Sequence, residues 1–406
     1  MGILGTTPAS VLVVGASLAG LSAVRALRER GYTGQLTIVG SERSAPYDRP
    51  PLSKEFLTGA LTEDDISLMS GDDAALDTEW LMDRTATGLS QAETGGYRVT
   101  FSDGTLIEAD AVILATGARA RTLPGCSEMG GVHTLRGLED ARALRDSLSK
   151  SRNLVVVGAG FIGAEVASSA ASMGLNVTVV EASPTPLAGP LGNELGAVCA
   201  DQHTAHGVEL LTGAAVAKVV GDDHVRAVQL TDGRVLPADA VLVGIGAVPN
   251  VEWAGNSGVL INDGFVTDSC GQTNLPGVYA IGDCARAYDL WVQDYHRSEH
   301  WSNAIAQAGI AADSIMGRTP GSAVIPYFWS RQYGKMLQFA GIRQHTDQVR
   351  WIEGDPMSGT FVVVYERDGV PVGVFAMNNV RLFTRYKKQL SKTHSPQASR
   401  LAVSAV

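Results

Sequence analysis

The sequence predicts an α/β fold: two Rossmann-like dinucleotide-binding domains and a small C-terminal α+β domain. Three observations carry this reading. An apolar strand that breaks into a glycine turn and opens an Ala-rich helix occurs twice. The same order of hairpin and apolar strand follows each copy. After Pro326 the composition changes. The first copy is Val11-Leu-Val-Val-Gly15-Ala16-Ser17-Leu-Ala-Gly20, the second Leu154-Val-Val-Val-Gly158-Ala-Gly160-Phe161-Ile162-Gly163. About 20 residues after each turn a second apolar strand ends in an acid, Glu42 and Glu181.

In chain order, residues 10–40 read as βαβ. The helix Leu18–Arg30 is closed by Gly31, which can adopt the left-handed conformation of a C-cap. Residues 43–60, with Pro46, Pro50 and Pro51, are too proline-rich for a helix interior and read as a loop. Residues 97–115 form a hairpin turning at Ser102-Asp103-Gly104, then the strand Ala111–Ala115, broken by Thr116-Gly117. The second βαβ spans Asn153–Glu181. Val225–Leu230, Thr231-Asp232-Gly233 and Val235–Leu236 repeat the hairpin, and Ala240–Gly246 repeats the apolar strand ending in glycine. A strand from Val278 stops at Gly282-Asp283, and a helix runs from Trp301 to Met316. Beyond Pro326, Val349–Ile352, Thr360–Tyr365 and Val372–Phe375 read as strands with turns at Gly354-Asp355 and Arg367-Asp368-Gly369. A basic helix, Arg381–Lys392, follows, and the last dozen residues are expected to be loose. The domains are therefore placed at 1–118 plus 247–325, at 119–246, and at 326–406.

The 406 residues are 45% apolar with a net charge of −10, which argues against nucleic acid as a partner. No run of about 18 apolar residues suggests a membrane span, and Val11–Val24 fits strand–turn–helix better than a signal segment. Cys126, Cys199, Cys270 and Cys284 are scattered without metal or CxxC spacing. They read as buried thiols in a reducing cytoplasm, and no metal site is expected.

Each turn-plus-acid unit holds one dinucleotide, so two units imply two; the economical pair is FAD and NADH. Glu42 and Glu181 accept hydrogen bonds from ribose hydroxyls. Glu181 is followed by Ala-Ser-Pro-Thr-Pro-Leu with no Arg or Lys, so a 2′-phosphate would meet an uncompensated carboxylate, favouring NADH over NADPH. Ser17 stands where the middle glycine is usual; it is small, and its hydroxyl can bond a phosphate. Asp283, just past a buried strand in Val278-Tyr279-Ala-Ile-Gly282-Asp283, suits a flavin polyol.

These strings, with Pro46-Tyr-Asp-Arg49-Pro-Pro-Leu-Ser-Lys54, Ala115-Thr116-Gly117, His300-Trp301-Ser-Asn-Ala304 and Pro326-Tyr-Phe-Trp329-Ser330, resemble the two-dinucleotide-binding flavoprotein reductases. They resemble most the NADH-dependent ferredoxin reductases of aromatic-ring dioxygenase and bacterial cytochrome monooxygenase systems, and the resemblance covers nearly the whole chain. It implies a glutathione-reductase-like arrangement. Gly15, Ala16, Ser17, Gly20, Glu42, Arg49, Lys54, Ala115, Thr116, Gly117, Arg136, Gly282, Asp283 and Trp301 would hold FAD. Gly158, Gly160, Phe161, Ile162, Gly163, Glu165, Glu181 and Gly246 would hold NADH. Lys54 and Glu165 would form the catalytic pair, with the Lys54 charge beside reduced flavin. Trp329, Arg331, Lys335 and Arg343 would serve electron exit and partner contact.

The chain departs from the family pattern twice. Arg331 stands where an acid usually follows Trp-Ser, and the loop after Glu181 lacks the usual arginines. No cysteine lies in residues 45–55, so no thiol relay is expected and electrons would leave the flavin directly. Residues 331–392 carry ten Lys/Arg and five Asp/Glu, a basic region on an acidic chain that suits a small acidic protein. The expected activity is NADH:ferredoxin oxidoreduction, with a two-iron two-sulfur ferredoxin as partner, in a cytoplasmic monomer or homodimer. The rival readings are a rubredoxin reductase or diaphorase, and an apoptosis-inducing-factor-like NADH sensor.

Overall fold

The computed structural model describes residues 7–93, 95–126, 129–319 and 324–393; the C-terminal dozen lies outside them. Two five-stranded parallel sheets dominate. The first has the order Val278–Ala280, Ala111–Leu114, Ser10–Val14, Gln35–Val39, Glu79–Leu81. The second repeats that layout with Glu209–Thr212, Asn176–Glu181, Asn153–Val157, Ala240–Val243, Val132–His133. Parallel sheets are covered on both faces, which is why the central strands are unbroken apolar runs. Val11 to Val14 and Leu154 to Val157 are all buried.

Among the described residues six α-helices complete the framework: α1 (Leu18–Glu29), α2 (Leu138–Lys150), α3 (Phe161–Ser172), α4 (Ala188–Ala205), α5 (Trp301–Ile315) and α6 (Val380–Thr393). α1 and α3 follow the two glycine turns, and Gly31 closes α1 at φ +83° as expected. Each half also carries an antiparallel three-stranded meander. One is Ala86–Gln91, Tyr97–Phe101, Leu106–Ala109; the other is Val216–Gly221, Val225–Leu230, Val235–Pro237. The second and third strands of each are the expected hairpins. The chain crosses between halves through a ribbon in which Ala118–Ala120 pairs antiparallel with Ala247–Pro249.

The C-terminal unit is a five-stranded antiparallel sheet with α6 packed on it, in the order Tyr327–Gln332, Lys335–Gly341, Val370–Met377, Thr360–Arg367, Gln348–Asp355. Three strands were expected; the first two were not. Tyr327–Gln332 buries Phe328, Ser330 and Gln332. Two of these are polar, so the strand lacks the alternating apolar signature. The loop 43–60 contains one 3-10 turn, Pro50–Ser53, which two prolines at its start permit. Helix α4, broken at Gly192 with φ +83°, had no clear sequence signal either. Among the described residues no helix is long and apolar enough to cross a membrane.

Candidate functional site

The two glycine turns are built alike. A Cβ on Gly15 (φ +122°) would lie 2.0 Å from the Ala115 carbonyl oxygen, and one on Gly158 (φ +99°) 2.4 Å from that of Gly244. A Cβ on Gly20 or Gly163 would lie 1.9 or 2.1 Å from the carbonyl oxygen of its own turn. These four glycines let strand, turn and helix close together. The middle position differs: Gly160 has φ −70° and a Cβ there would meet nothing within 4 Å. Ser17 at the equivalent place is also extended, so its side chain needs no distortion. Neither Ser17 nor Gly160 caps its helix with a side-chain bond. The first N–H groups of α1 and α3 thus remain available to an anion.

One cavity of about 920 Å³ runs from the first turn to the start of α3. Gly15, Ala16, Ser17, Glu42, Arg49, Lys54, Ala115, Thr116, Gly117, Arg136, Gly282, Asp283 and Trp301 line it, with Phe161, Ile162, Glu165 and Trp329. Its polar groups are fixed from several elements. Glu42 accepts from the Arg49 guanidinium and from the Tyr47 hydroxyl, each at 2.5 Å. Arg49 also reaches the Ser17 hydroxyl (3.3 Å) and the Arg136 carbonyl (2.6 Å). Arg136 pairs with Asp283 and donates to the Ala118 carbonyl. Thr116 and Gly117 are clasped to Asn250, whose backbone carbonyl accepts from the Thr116 hydroxyl at 2.6 Å.

At the other end, Lys54 and Glu165 are ion-paired at 2.7 Å, with side chains 13% and 6% exposed. The same carboxylate accepts from Ser53 Oγ (2.5 Å), Ser330 Oγ (2.7 Å) and the Arg331 N–H (3.3 Å). The Trp301 indole donates to Asp48 at 2.8 Å. Burial pushes the Asp48 carboxyl above its ordinary range, against the opposing effects of that bond and of Lys54. Trp301 meets Trp329 edge-on at 5.9 Å, and Trp329 stacks on Tyr327. His300 also lines the cavity; burial holds its imidazole down at about 4, so it is neutral near pH 7.

The remaining sequence candidates stand apart from this cavity. Gly20 packs behind the first turn. Gly158, Gly160, Gly163 and Glu181 form the second turn, where Glu181 accepts from the Ala159 and Ser183 N–H groups, both at 2.8 Å. Gly246 (φ +105°) starts the ribbon and accepts from the Arg121 N–H. Arg331 is exposed, 3.7 Å from Glu55. Lys335 and Arg343, expected at the partner surface, do not line the cavity. The Lys335 ammonium lies over Gly359, and Arg343 is held against α4, donating to the Ala188 and Gly189 carbonyls. Hairpin and strand-end positions carry no sequence mark of which way a long side chain runs. Sequence reasoning had also not singled out Tyr47, Asp48, Ser53, His300 and Ser330, although all lie in the strings quoted above. Asn250 had no signal at all.

The donor set fits a dinucleotide: open helix N-termini and arginines for a pyrophosphate, carboxylates for hydroxyls, and an apolar and aromatic far end. None of the four cysteines lines the cavity. Burial raises the Cys199 thiol to about 12 and the Cys284 thiol to about 11. Fold and cavity together define a class, an oxidoreductase built on two dinucleotide-type domains.

The pyridine nucleotide-disulphide oxidoreductase model matches residues 9–308, and the reductase C-terminal model matches residues 327–406. The chain belongs to that family, among the ferredoxin reductases of oxygenase systems. Rhodocoxin reductase of Rhodococcus erythropolis is 36% identical over 92% of this chain and 87% of that protein. The biphenyl dioxygenase system ferredoxin–NAD(+) reductase component of Paraburkholderia xenovorans is 35% identical over 92% and 91%. The reductase in the covalent putidaredoxin reductase–putidaredoxin complex superposes with a TM-score of 0.90 at 32% identity, covering 94% of this chain and 93% of that one.

Proposed function

We propose that this chain is an NADH-dependent, FAD-containing ferredoxin reductase. It takes hydride from NADH and delivers single electrons to a two-iron two-sulfur ferredoxin that supplies an aromatic-ring dioxygenase or a cytochrome monooxygenase. The observation that carries this reading is the buried Lys54–Glu165 pair, which joins the cavity of the first glycine turn to helix α3 of the second. FAD, when bound, supplies the step from a two-electron donor to a one-electron acceptor. The protein supplies position and charge. Residues 1–118 and 247–325 hold FAD: Ser17, Arg49 and the start of α1 take its pyrophosphate, Glu42 its ribose, and Arg136 and Asp283 its polyol. Residues 119–246 hold NADH on the turn at Gly158, with Glu181 on the ribose and Phe161, Ile162 and Glu165 near the reacting end. Lys54 places a fixed positive charge where negative charge develops in a site shielded from water.

Trp329, beside Trp301 at the cavity, marks the exit for electrons. Arg331 and the exposed Arg381, Arg385, Lys388 and Lys392 supply positive charge for an acidic partner. Three buried cysteines and a half-buried Cys270, none of them at the cavity, fit direct transfer in a reducing cytoplasm. The test is anaerobic stopped-flow absorbance. The yellow protein is mixed with NADH, then with an oxidised two-iron two-sulfur ferredoxin. Fast bleaching followed by fast recovery of colour is expected. Fast bleaching that no ferredoxin reverses overturns the reading in favour of an NADH sensor or a different acceptor.

A further inference from the structure

Glu165 is surrounded by donors that come from two separate parts of the chain. Lys54 and Ser53 hold Oε2; Ser330 Oγ and the Arg331 N–H hold Oε1. Every partner donates, so the carboxylate is the form that satisfies them all. The buried Gln332 amide donates to Ser330 Oγ at 3.0 Å. That bond takes up an acceptor site on Ser330 and leaves its hydroxyl proton aimed at Glu165. The order is therefore directional: Gln332 to Ser330 to Glu165, with Lys54 meeting Glu165 from the other side.

The strand that supplies Ser330 and Gln332 lies at the edge of the C-terminal sheet. Its side chains alternate. Phe328, Ser330 and Gln332 are buried, while Tyr327, Trp329 and Arg331 are half-buried or exposed on the opposite face. The outer face is the one proposed above to meet the electron acceptor. Ser330 is fully buried one residue from both Trp329 and Arg331. Arg331 also reaches toward Glu55, the neighbour of Lys54. One short strand thus presents the outer aromatic and grips the carboxylate that holds the lysine.

We propose that Ser330 is a positioning residue that couples a protein seated on Trp329 and Arg331 to the Lys54–Glu165 pair, and through it to the charge beside bound flavin. This rests on the ferredoxin reading. Coupling of this kind is reciprocal. If the seated partner shifts the pair, the oxidised and reduced forms of the reductase bind that partner with different affinity. The flavin midpoint potential then moves by the same free energy.

The test uses the flavin-loaded protein and a redox-inert, gallium-substituted ferredoxin. In the unsubstituted protein the two redox forms should differ at least threefold in affinity for this probe. For a two-electron couple that corresponds to a potential shift of about 14 mV on adding the probe. In Ser330→Ala the probe should still bind the oxidised form within twofold, because Ser330 is buried, but the shift should vanish. Gln332→Leu should reduce it, and Ser330→Thr, which keeps the hydroxyl, should restore it if Ser330→Ala folds poorly. An undiminished shift in both Ser330→Ala and Gln332→Leu, or no shift in the unsubstituted protein, overturns the coupling. Those outcomes leave the proposed function standing as long as native ferredoxin is reduced. Failure of native ferredoxin to accept electrons would instead remove the function on which the coupling depends.

Discussion

Lys54 and Glu165 illustrate how a buried charge pair constrains its own replacement. Removing one partner strands the other in a shielded site, at a cost of about 3–5 kcal/mol. Lys54→Met should therefore lower the urea midpoint of the flavin-loaded protein markedly, and Lys54→Met/Glu165→Gln should recover much of it. If the double variant is less stable than Lys54→Met, the pair is not the source of the loss. Glu181 is proposed to act on the other ligand. Its carboxylate is fixed at the strand end by two backbone N–H groups. Hydrogen bonds to a charged group are worth about 1.5–3 kcal/mol. Glu181→Ala should raise KM for NADH by roughly tenfold or more on that basis and narrow the preference over NADPH. An unchanged NADH-to-NADPH ratio of kcat/KM would show that Glu181 does not read the ribose. The resemblance had already marked Lys54 and Glu165 in the sequence, and the acid ending the second βαβ unit had marked Glu181. Ser53 and Ser330 were not marked, because a serine in a loop or an edge strand carries no sign that its hydroxyl is buried against a carboxylate.

At the scale of the element, the glycine turns separate two uses of glycine. Gly15 and Gly158 have positive φ and a carbonyl oxygen where a Cβ would go. The middle position has neither constraint: Gly160 is at φ −70° with open space beyond it. Gly160→Ala should thus fold, keep its flavin and melt within a degree or two of the parent, yet raise KM for NADH because the methyl occupies the ligand's side of the turn. Gly15→Ala should fail to retain flavin. If Gly160→Ala leaves KM unchanged, the nucleotide does not approach that backbone. The turns were legible in sequence because strand, turn and helix are contiguous and their spacing is imposed by local backbone geometry. Tyr327–Gln332 was not legible. Two of its three buried side chains are polar, and they are buried because α3 lies over the strand.

At the scale of the molecule, the C-terminal sheet is docked on α3 and α4 through Tyr333. Its N–H donates to Ser168 Oγ and its hydroxyl bonds His203 Nδ1, both at 2.7 Å. Burial lowers His203 to about 4, below the ordinary value of 6.5. A histidine depressed in the folded state stays neutral there while the unfolded chain takes up a proton. Its stability contribution is complete above about pH 6.5 and falls as pH drops toward 4, by at most about 1.4 kcal/mol per pH unit. The urea midpoint should decline from pH 7 to pH 5, and His203→Gln should make that decline shallower; an identical decline in the variant would exclude His203. His300, also held near 4, keeps part of the slope in place. By itself, the sequence determined the two glycine turns, the apolar central strands, the duplicated layout and the absence of a cysteine pair. These depend on residues close together in the chain. Only the tertiary structure decided which polar groups meet. Glu165 takes its partners from 111 residues before it and 165 after it. Arg343 reaches back 154 residues to the start of α4. A hydrogen bond across such separations depends on how domains pack, and no local pattern records it.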